Sequence, residues 1–206
     1  MSNCFGIILA GGLARRMGGG DKPLIEVAGQ SILAHVVARL APQCAGLALN
    51  ANGDPARFAH FGVQVIADGV EGFAGPLAGV LAGLDHVAAT RPEVGLVLSV
   101  PADTPFIPRD LAARLSQALS DTGAAIAVAA SGGRVHHAVA LWPVALRSAL
   151  RRTIVEDGER AVSAFIARFS SVVVEWPVEP YDPFFNVNRP EDVKKASEIA
   201  TCAAGM

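Results

Sequence analysis

Apolar positions along the chain fall into two alternating rhythms. Short, nearly unbroken apolar runs recur at "FGIILA" (5–10), "GLALN" (46–50), "VQVIA" (63–67), "VGLVLSV" (94–100), "AAIAVAA" (124–130) and "HHAVALW" (136–142). Each has the length and apolar character of a buried strand. Between the first two, Ile32, Leu33, Val36, Val37 and Leu40 recur at helical spacing behind Ser31, a residue suited to capping a first turn. The same period predicts further helices over 77–89, 109–120, 143–151, 160–169 and 190–201. A last apolar run, "VVVEWP" (172–177), reads as an edge or mixed-direction strand, and the terminal "CAAGM" as a frayed tail. Near-continuous apolar strands separated by helices predict an α/β protein with a mostly parallel, mixed sheet covered on both faces, a three-layer α/β/α Rossmann-like arrangement.

Composition narrows the class. A chain of 206 residues, 51% hydrophobic and 17% charged, can bury a core and reads as a single domain, 1–206. The formal charge of -2 gives no global attraction for nucleic acid, so any anion site must be local. Cys4, Cys44 and Cys202 are far apart and form no CxxC pair, which fits a reducing, cytoplasmic setting better than a disulfide framework or a zinc site. The first apolar run, about ten residues, is too short to span a bilayer. It also precedes the "ARR" arginines instead of following them, which argues against a twin-arginine signal.

In an open parallel sheet the ligand crevice lies beyond the carboxyl ends of the strands. Three polar features fall there: the loop "LAGGLARRMGGGDKP" (9–23), "NANGDP" (50–55) and "PADTP" (101–105). The loop has five glycines, three cations and one carboxylate, Asp21. Glycines let successive N–H groups turn toward one point, and flanking cations complete a phosphate cradle. Its spacing matches neither GxGxxG nor a Walker loop, because Lys22 is followed by Pro23 rather than Ser or Thr.

The L-A-G-G…R-M-G…K run resembles the opening loop of nucleotidyltransferases, and the chain is most similar to the molybdenum cofactor guanylyltransferases. The likeness continues in the family's order through "NAN" (50–52), "IADGVEGFAGPLAG" (66–79), "PADTPFIP" (101–108), "GER" (158–160) and "FFNVNRPEDV" (184–193). It implies a nucleotidyltransferase fold and transfer of GMP from GTP to the terminal phosphate of molybdenum-molybdopterin, with release of pyrophosphate. It further implies that the N-terminal part binds GTP and the C-terminal part molybdopterin, with Mg2+ as cofactor and transient contact with molybdenum-insertion proteins and molybdoenzyme chaperones. The implied GTP contacts are Leu9, Ala10, Gly11, Gly12, Gly19, Lys22, Asn50, Asp68, Gly75, Gly79 and Asp103. The implied catalytic residues are Arg16, Lys22 and Asp103, with Asp103 also the metal ligand. Arg160, Asn186 and Asn188 are implied on the acceptor side.

The chemistry of these residue types suits that reaction. Charge builds on the α-phosphate and the departing pyrophosphate, so positioning and electrostatic stabilisation should dominate. The backbone of 10–12 and 18–20, Arg16 and Lys22 would provide it, with Arg15 the weaker candidate. Asp103 lies between Pro101 and Pro105 at a strand end, where one carboxylate suffices for Mg2+ held largely by phosphates and water; the competing reading is a turn cap. No general base stands among the motifs, which fits a phosphate monoester acceptor, already largely ionised at neutral pH. Gly75, Gly79 and Gly83 fall four apart and form a bare stripe on a helix, facing either a ligand or the sheet. Asn188 has a second reading as a helix N-cap, with Glu191 three residues on. Two positions depart from the family: Arg189 replaces a usual Thr, and His137 a usual Pro after His136. The histidine pair reads as partly buried strand residues rather than metal ligands.

Three rivals differ in sequence. A cytidylyltransferase acting on the same pterin typically has D-Q-P in place of "DTP" and lacks "GPLAG". A sugar-phosphate nucleotidyltransferase has a longer chain. A non-catalytic nucleotide-binding module would lack the Asp103 carboxylate.

Overall fold

The computed structural model describes residues 4–10, 22–70, 72 and 75–204. Strand β1 (Cys4–Leu9) lies inside a seven-stranded sheet. On one side of it stand β4 (Leu47–Asn50) and β5 (Gln64–Ile66). On the other, in spatial order, stand β6 (Leu96–Pro101), β8 (Arg134–Pro143), β7 (Ile126–Ser131) and β9 (Ser171–Trp176). All pairings are parallel except those of β8, which runs antiparallel to both β6 and β7. The final apolar run thus forms an edge strand in the common direction, and the reversed strand is the "HHAVALW" segment. A separate two-stranded hairpin, β2 (Glu26–Val27) and β3 (Gln30–Ser31), turns through Ala28 and Gly29 at φ of 51° and 79°. Positive φ at both central positions matches the twist of a tight hairpin, and this short element carries no apolar period that the sequence could reveal.

The continuous apolar character of the strands follows from burial on both faces. Ile8, Leu49, Leu98 and Leu141 pack with Leu33, Val36 and Leu40 of α1 (Ile32–Leu40) and Leu111 and Leu115 of α3 (Leu111–Thr122). Their neighbours Ile7, Ala48, Val97 and Trp142 face the opposite layer. That layer is α2 (Pro76–Thr90), α4 (Arg147–Val155) and α5 (Val162–Ile166). The result is the three-layer α/β/α arrangement the apolar rhythm predicts. Ser31 caps α1, its hydroxyl accepting the Ala34 N–H at 3.2 Å.

Three expectations about helices shift, the first being that the helix expected over 160–169 is confined to Val162–Ile166. The helix expected over 143–151 begins at Arg147, because β8 continues through Pro143 and the Val144 N–H bonds Gly95 O at 2.9 Å, leading into a 3-10 turn over Val144–Leu146. The "CAAGM" tail is helical through its first three residues, since α6 spans Pro190–Ala204.

Two features shape the space above the sheet. A small third core of Val27, Ile32, Phe106, Val187 and Ala196 brings together the β2–β3 hairpin, the loop after β6 and the segment leading into α6. In β8, pairing with β7 jumps from Val128↔Ala140 to Ala129↔His136, leaving His137, Ala138 and Val139 as extra residues. Pairing with β6 stops at Ser99↔Ala140. The first half of β8 therefore leaves β6, and a gap opens beside the carboxyl end of β6.

Gly83 shows how tightly α2 lies on the sheet: a Cβ there would run into the buried Ile7 side chain, 3.0 Å from its Cδ1 and closer still to Cγ1. Gly83→Ala should lower stability by about 1–2 kcal/mol despite alanine's better helix propensity. Urea denaturation checks this, and a gain in stability would contradict it.

Candidate active site

Leu9 and Pro101 end two adjacent parallel strands whose chains then depart in opposite directions, β1 toward β4 and β6 toward β7. Such a switch point is where an open α/β sheet leaves a crevice. Here it is lined by Leu9, Asn50, Gly75, Pro76 and Asp103. Ala10 donates its N–H to Asn50 O at 2.9 Å, and Ala102 donates to Leu9 O at 3.0 Å, so the three strand ends are fixed to one another.

One wall is a closed amide–carboxylate set. Asn50 Nδ2 donates to Asp68 Oδ1 at 2.9 Å, and Asn52 Nδ2 to Asp68 Oδ2 at 2.8 Å. Asp68 N–H returns to Asn52 Oδ1 at 3.0 Å, and Arg57 holds the Asn52 carbonyl. Asn52 was not singled out as a site residue, and only its place in "NAN" could have marked it. Gly79 permits this wall: a Cβ would strike Asn50 Oδ1 and fall 2.9 Å from Leu9 Cδ2. Gly75 meets nothing within 4 Å, so its bare face opens on the crevice, whereas Gly83 faces the sheet. Of the two expected directions, the sheet-facing one holds at Gly83.

The crevice mouth is held by Asp103. Lys22, on a 3-10 turn (Lys22–Leu24) anchored by buried Pro23, places Nζ 2.6 Å from Asp103 Oδ2 and 2.6 Å from Asn188 Oδ1. Asn186 Nδ2 donates to Asp103 Oδ1 at 2.8 Å and to Thr104 Oγ1 at 3.0 Å. The Val187 N–H donates to Asp103 O at 2.9 Å. The Lys22 and Asp103 side chains are only 17% and 23% exposed, so water screens this pair less than a surface pair. Asp103 is therefore joined to both the loop end and the acceptor-side segment, and its side chain does not cap the following turn.

Asn188 is not the N-cap of α6. The carboxylate of Asp192 accepts the N–H groups of Asn188 at 2.8 Å and Arg189 at 2.9 Å, leaving the Asn188 side-chain oxygen for Lys22. The acid three residues into the helix reaches back, as in half of a capping box. Arg189 lies 3.5 Å from Glu191. Arg160 sits on the exposed loop between α4 and α5, where Glu159 accepts its N–H at 2.8 Å. Arg15, Arg16, Gly11, Gly12 and Gly19 lie outside the described residues.

Beside Asn186, the gap left by β8 forms a second crevice lined by Thr104, Arg134, His136, His137 and Phe184. His136 Nε2 lies 2.8 Å from Ser131 Oγ, which donates to Asp182 Oδ1 at 2.7 Å, and its ring packs on Phe184. Because an ionised Asp182 only accepts, Ser131 must take its second bond from His136, placing the proton on Nε2. Burial pushes the His136 pKa below its ordinary value; Asp182 opposes the shift and Arg134 adds to it.

Fold and site define the class: an α/β nucleotide-transferring protein with a lysine and a carboxylate facing each other at the switch-point crevice. A family model described as the MobA-like NTP transferase domain matches residues 6–172, and the chain belongs to that family. It is 63% identical over 194 residues to a molybdenum cofactor guanylyltransferase of Rhodopseudomonas palustris (strain BisB5), covering 94% of this chain and 92% of that protein. A molybdenum cofactor guanylyltransferase of Bradyrhizobium sp. (strain ORS 278) is 57% identical, with 95% and 92% covered. Among solved structures, molybdopterin-guanine dinucleotide biosynthesis protein A from Archaeoglobus fulgidus superposes with a TM-score of 0.74 at 22% identity, over 96% of this chain and 98% of that one. A 4-diphosphocytidyl-2C-methyl-D-erythritol synthase from Anaerococcus prevotii superposes with a TM-score of 0.72 at 15% identity, over 96% of each chain. At these identities the structural likeness establishes the shared fold.

A folded pKa below the free value of about 6.5 means that the unfolded chain binds the His136 proton first, so this group's contribution to stability falls as pH drops below that value. NMR titration should give a His136 midpoint below about 6.5, and Asp182→Asn, which removes the opposing charge, should lower it further. A rise in Asp182→Asn would contradict the assignment.

Proposed function

We propose that the protein transfers GMP from GTP to the terminal phosphate of molybdenum-molybdopterin, releasing pyrophosphate and forming the molybdopterin guanine dinucleotide cofactor. The carrying observation is the bond set at Asp103, which joins the switch-point crevice to the Asn186–Asn188 segment through Lys22. The names of relatives up to 63% identical, spanning nearly the whole chain, support the same reading.

In this account GTP enters between Leu9 and Asn50 on one side and Gly75 and Gly79 on the other. Asp68, already oriented by two amides, accepts hydrogen bonds from the nucleoside. The backbone of Ala10, Gly11, Gly12 and Gly19 and the cations Arg16 and Lys22 meet the phosphates. Lys22 exchanges one of its two hydrogen-bond partners for a phosphate oxygen, and its ammonium compensates the charge that builds on the leaving pyrophosphate. Asn186 and Asn188 orient the acceptor, so that its ionised phosphate attacks the α-phosphate without a general base. We assign Arg160 to the acceptor side as well.

The donor set at the crevice mouth fits Mg2+. Asp103 offers hard carboxylate oxygens at a strand end, partly exposed, and Mg2+ commonly takes one or two carboxylates and completes its shell with phosphates and water. When bound, the ion would screen the triphosphate and polarise the α-phosphate. Asn186 and Thr104 keep Asp103 Oδ1 turned toward the acceptor segment. The work is that of a cytoplasmic enzyme acting as one domain, in transient contact with molybdenum-insertion proteins and molybdoenzyme chaperones.

With Mg2+ and molybdenum-molybdopterin, the purified protein should release pyrophosphate with GTP and not with CTP or ATP. Preferred turnover of CTP would refute the guanine assignment. Lys22→Ala and Asp103→Ala should each lower kcat by about 100-fold or more with circular dichroism unchanged. Near-normal rates in both would place the chemistry elsewhere.

A further inference from the structure

The acceptor must bring a phosphate, largely dianionic at neutral pH, toward a region that already carries several carboxylates. Asp103, Asp182, Glu191 and Asp192 all line or border the space around Asn186 and Asn188. Each is engaged within the protein: Asp103 by Lys22 and Asn186, Asp182 by Ser131 and the Phe184 N–H, Asp192 by the start of α6, and Glu191 by Arg189. The cations are less evenly committed. Lys22 is shared between Asp103 and Asn188, and Arg189 stands beside Glu191.

Arg134 differs from both. It opens β8 at the carboxyl-end side of the sheet and lines the crevice beside His136 as well as the neighbouring one beside Asn188. Among the described residues its guanidinium has no hydrogen-bond or ion-pair partner. The backbone beneath it is nonetheless well fixed. Arg134 pairs with Ser131 across the β7–β8 turn, and Ser131 ties that turn to His136 and Asp182. An uncommitted guanidinium on a braced strand end, over a crevice whose acids are already paired, is suited to forked recognition of phosphate.

Resting on the guanylyltransferase reading above, we infer that Arg134 binds the phosphate of the incoming acceptor, with the Asp182–Ser131–His136 chain as the positioning support of its strand end. Arg134 is thereby an acceptor-specific residue that does not serve the nucleotide. Asn186 and Asn188 orient the acceptor near Asp103, and Arg134 supplies the positive charge that the asparagines lack.

The test separates the two substrates and does not depend on turnover. Binding of molybdenum-molybdopterin to the nucleotide-free protein, followed by fluorescence of Trp176, which packs edge-on against the crevice residue Phe184, should weaken about tenfold or more in Arg134→Gln. Arg134→Lys should recover part of the loss, while GTP affinity stays within about twofold in both variants. In steady state the Arg134→Gln defect should appear in the acceptor KM and leave the GTP KM unchanged. Ser131→Ala should show a smaller acceptor defect of the same kind. Equal acceptor binding by wild type and Arg134→Gln would overturn the inference, as would equal losses for both substrates or a defect in Arg189→Gln in place of Arg134→Gln. If wild type bound the acceptor through Arg134 but transferred no nucleotide, the functional reading would fall and this site would stand.

Discussion

The carboxylate of Asp103 binds two stretches of chain that lie 81 and 83 residues away from it, on opposite sides in the sequence. Lys22 approaches one oxygen and Asn186 the other, while the Asp103 carbonyl receives the Val187 N–H. A half-buried lysine or aspartate without its partner would carry a desolvation cost, so each makes the other's position tolerable. The small apolar core of Val27, Phe106, Val187 and Ala196 lies beneath the same three segments and fixes their backbones. Polar contacts above and apolar contacts below thus specify the same juxtaposition, which is the consistency expected of a uniquely folded site.

The sheet explains why the two substrates would meet there. Parallel strands place the ends of β1, β4 and β6 together, and their divergent connections leave the crevice at Leu9 and Pro101. A second opening requires a neighbouring strand to leave the sheet. The three extra residues of β8 do this: His136 to Val139 leave the backbone ladder of β6, Ala138 O accepting the Ser99 hydroxyl at 2.8 Å, and they line the crevice beside Asn186. His137 falls inside this bulge.

The apolar rhythm foretold every strand of the large sheet to within two residues, because burial on both faces leaves little freedom in composition. It did not reveal the β2–β3 hairpin, whose two-residue strands are too short for a period. Nor did it give the direction of the reversed strand, since β7 and β8 read alike and only their pairing differs. The polar loops at strand ends marked Asn50 and Asp103 as residues of one crevice, and the family resemblance added Asp68. The second reading of Asn188, as the cap of α6, gives way because "NRPED" offers two acids three and four residues on and geometry chooses Asp192. Asn52 and Arg134 escaped notice because their significance lies in what they touch or fail to touch.

The central claim is that Lys22 and Asn186 act as one unit through the Asp103 carboxylate, joining donor and acceptor halves. A double-mutant cycle on kcat/KM for nucleotidyl transfer, with Lys22→Ala, Asn186→Ala and the pair, measures this directly. The account predicts that the double variant is at least about threefold more active than the product of the two single effects, because the second loss strikes a contact already broken. Effects that multiply to within about 1.5-fold would contradict it and make the two residues independent contributors.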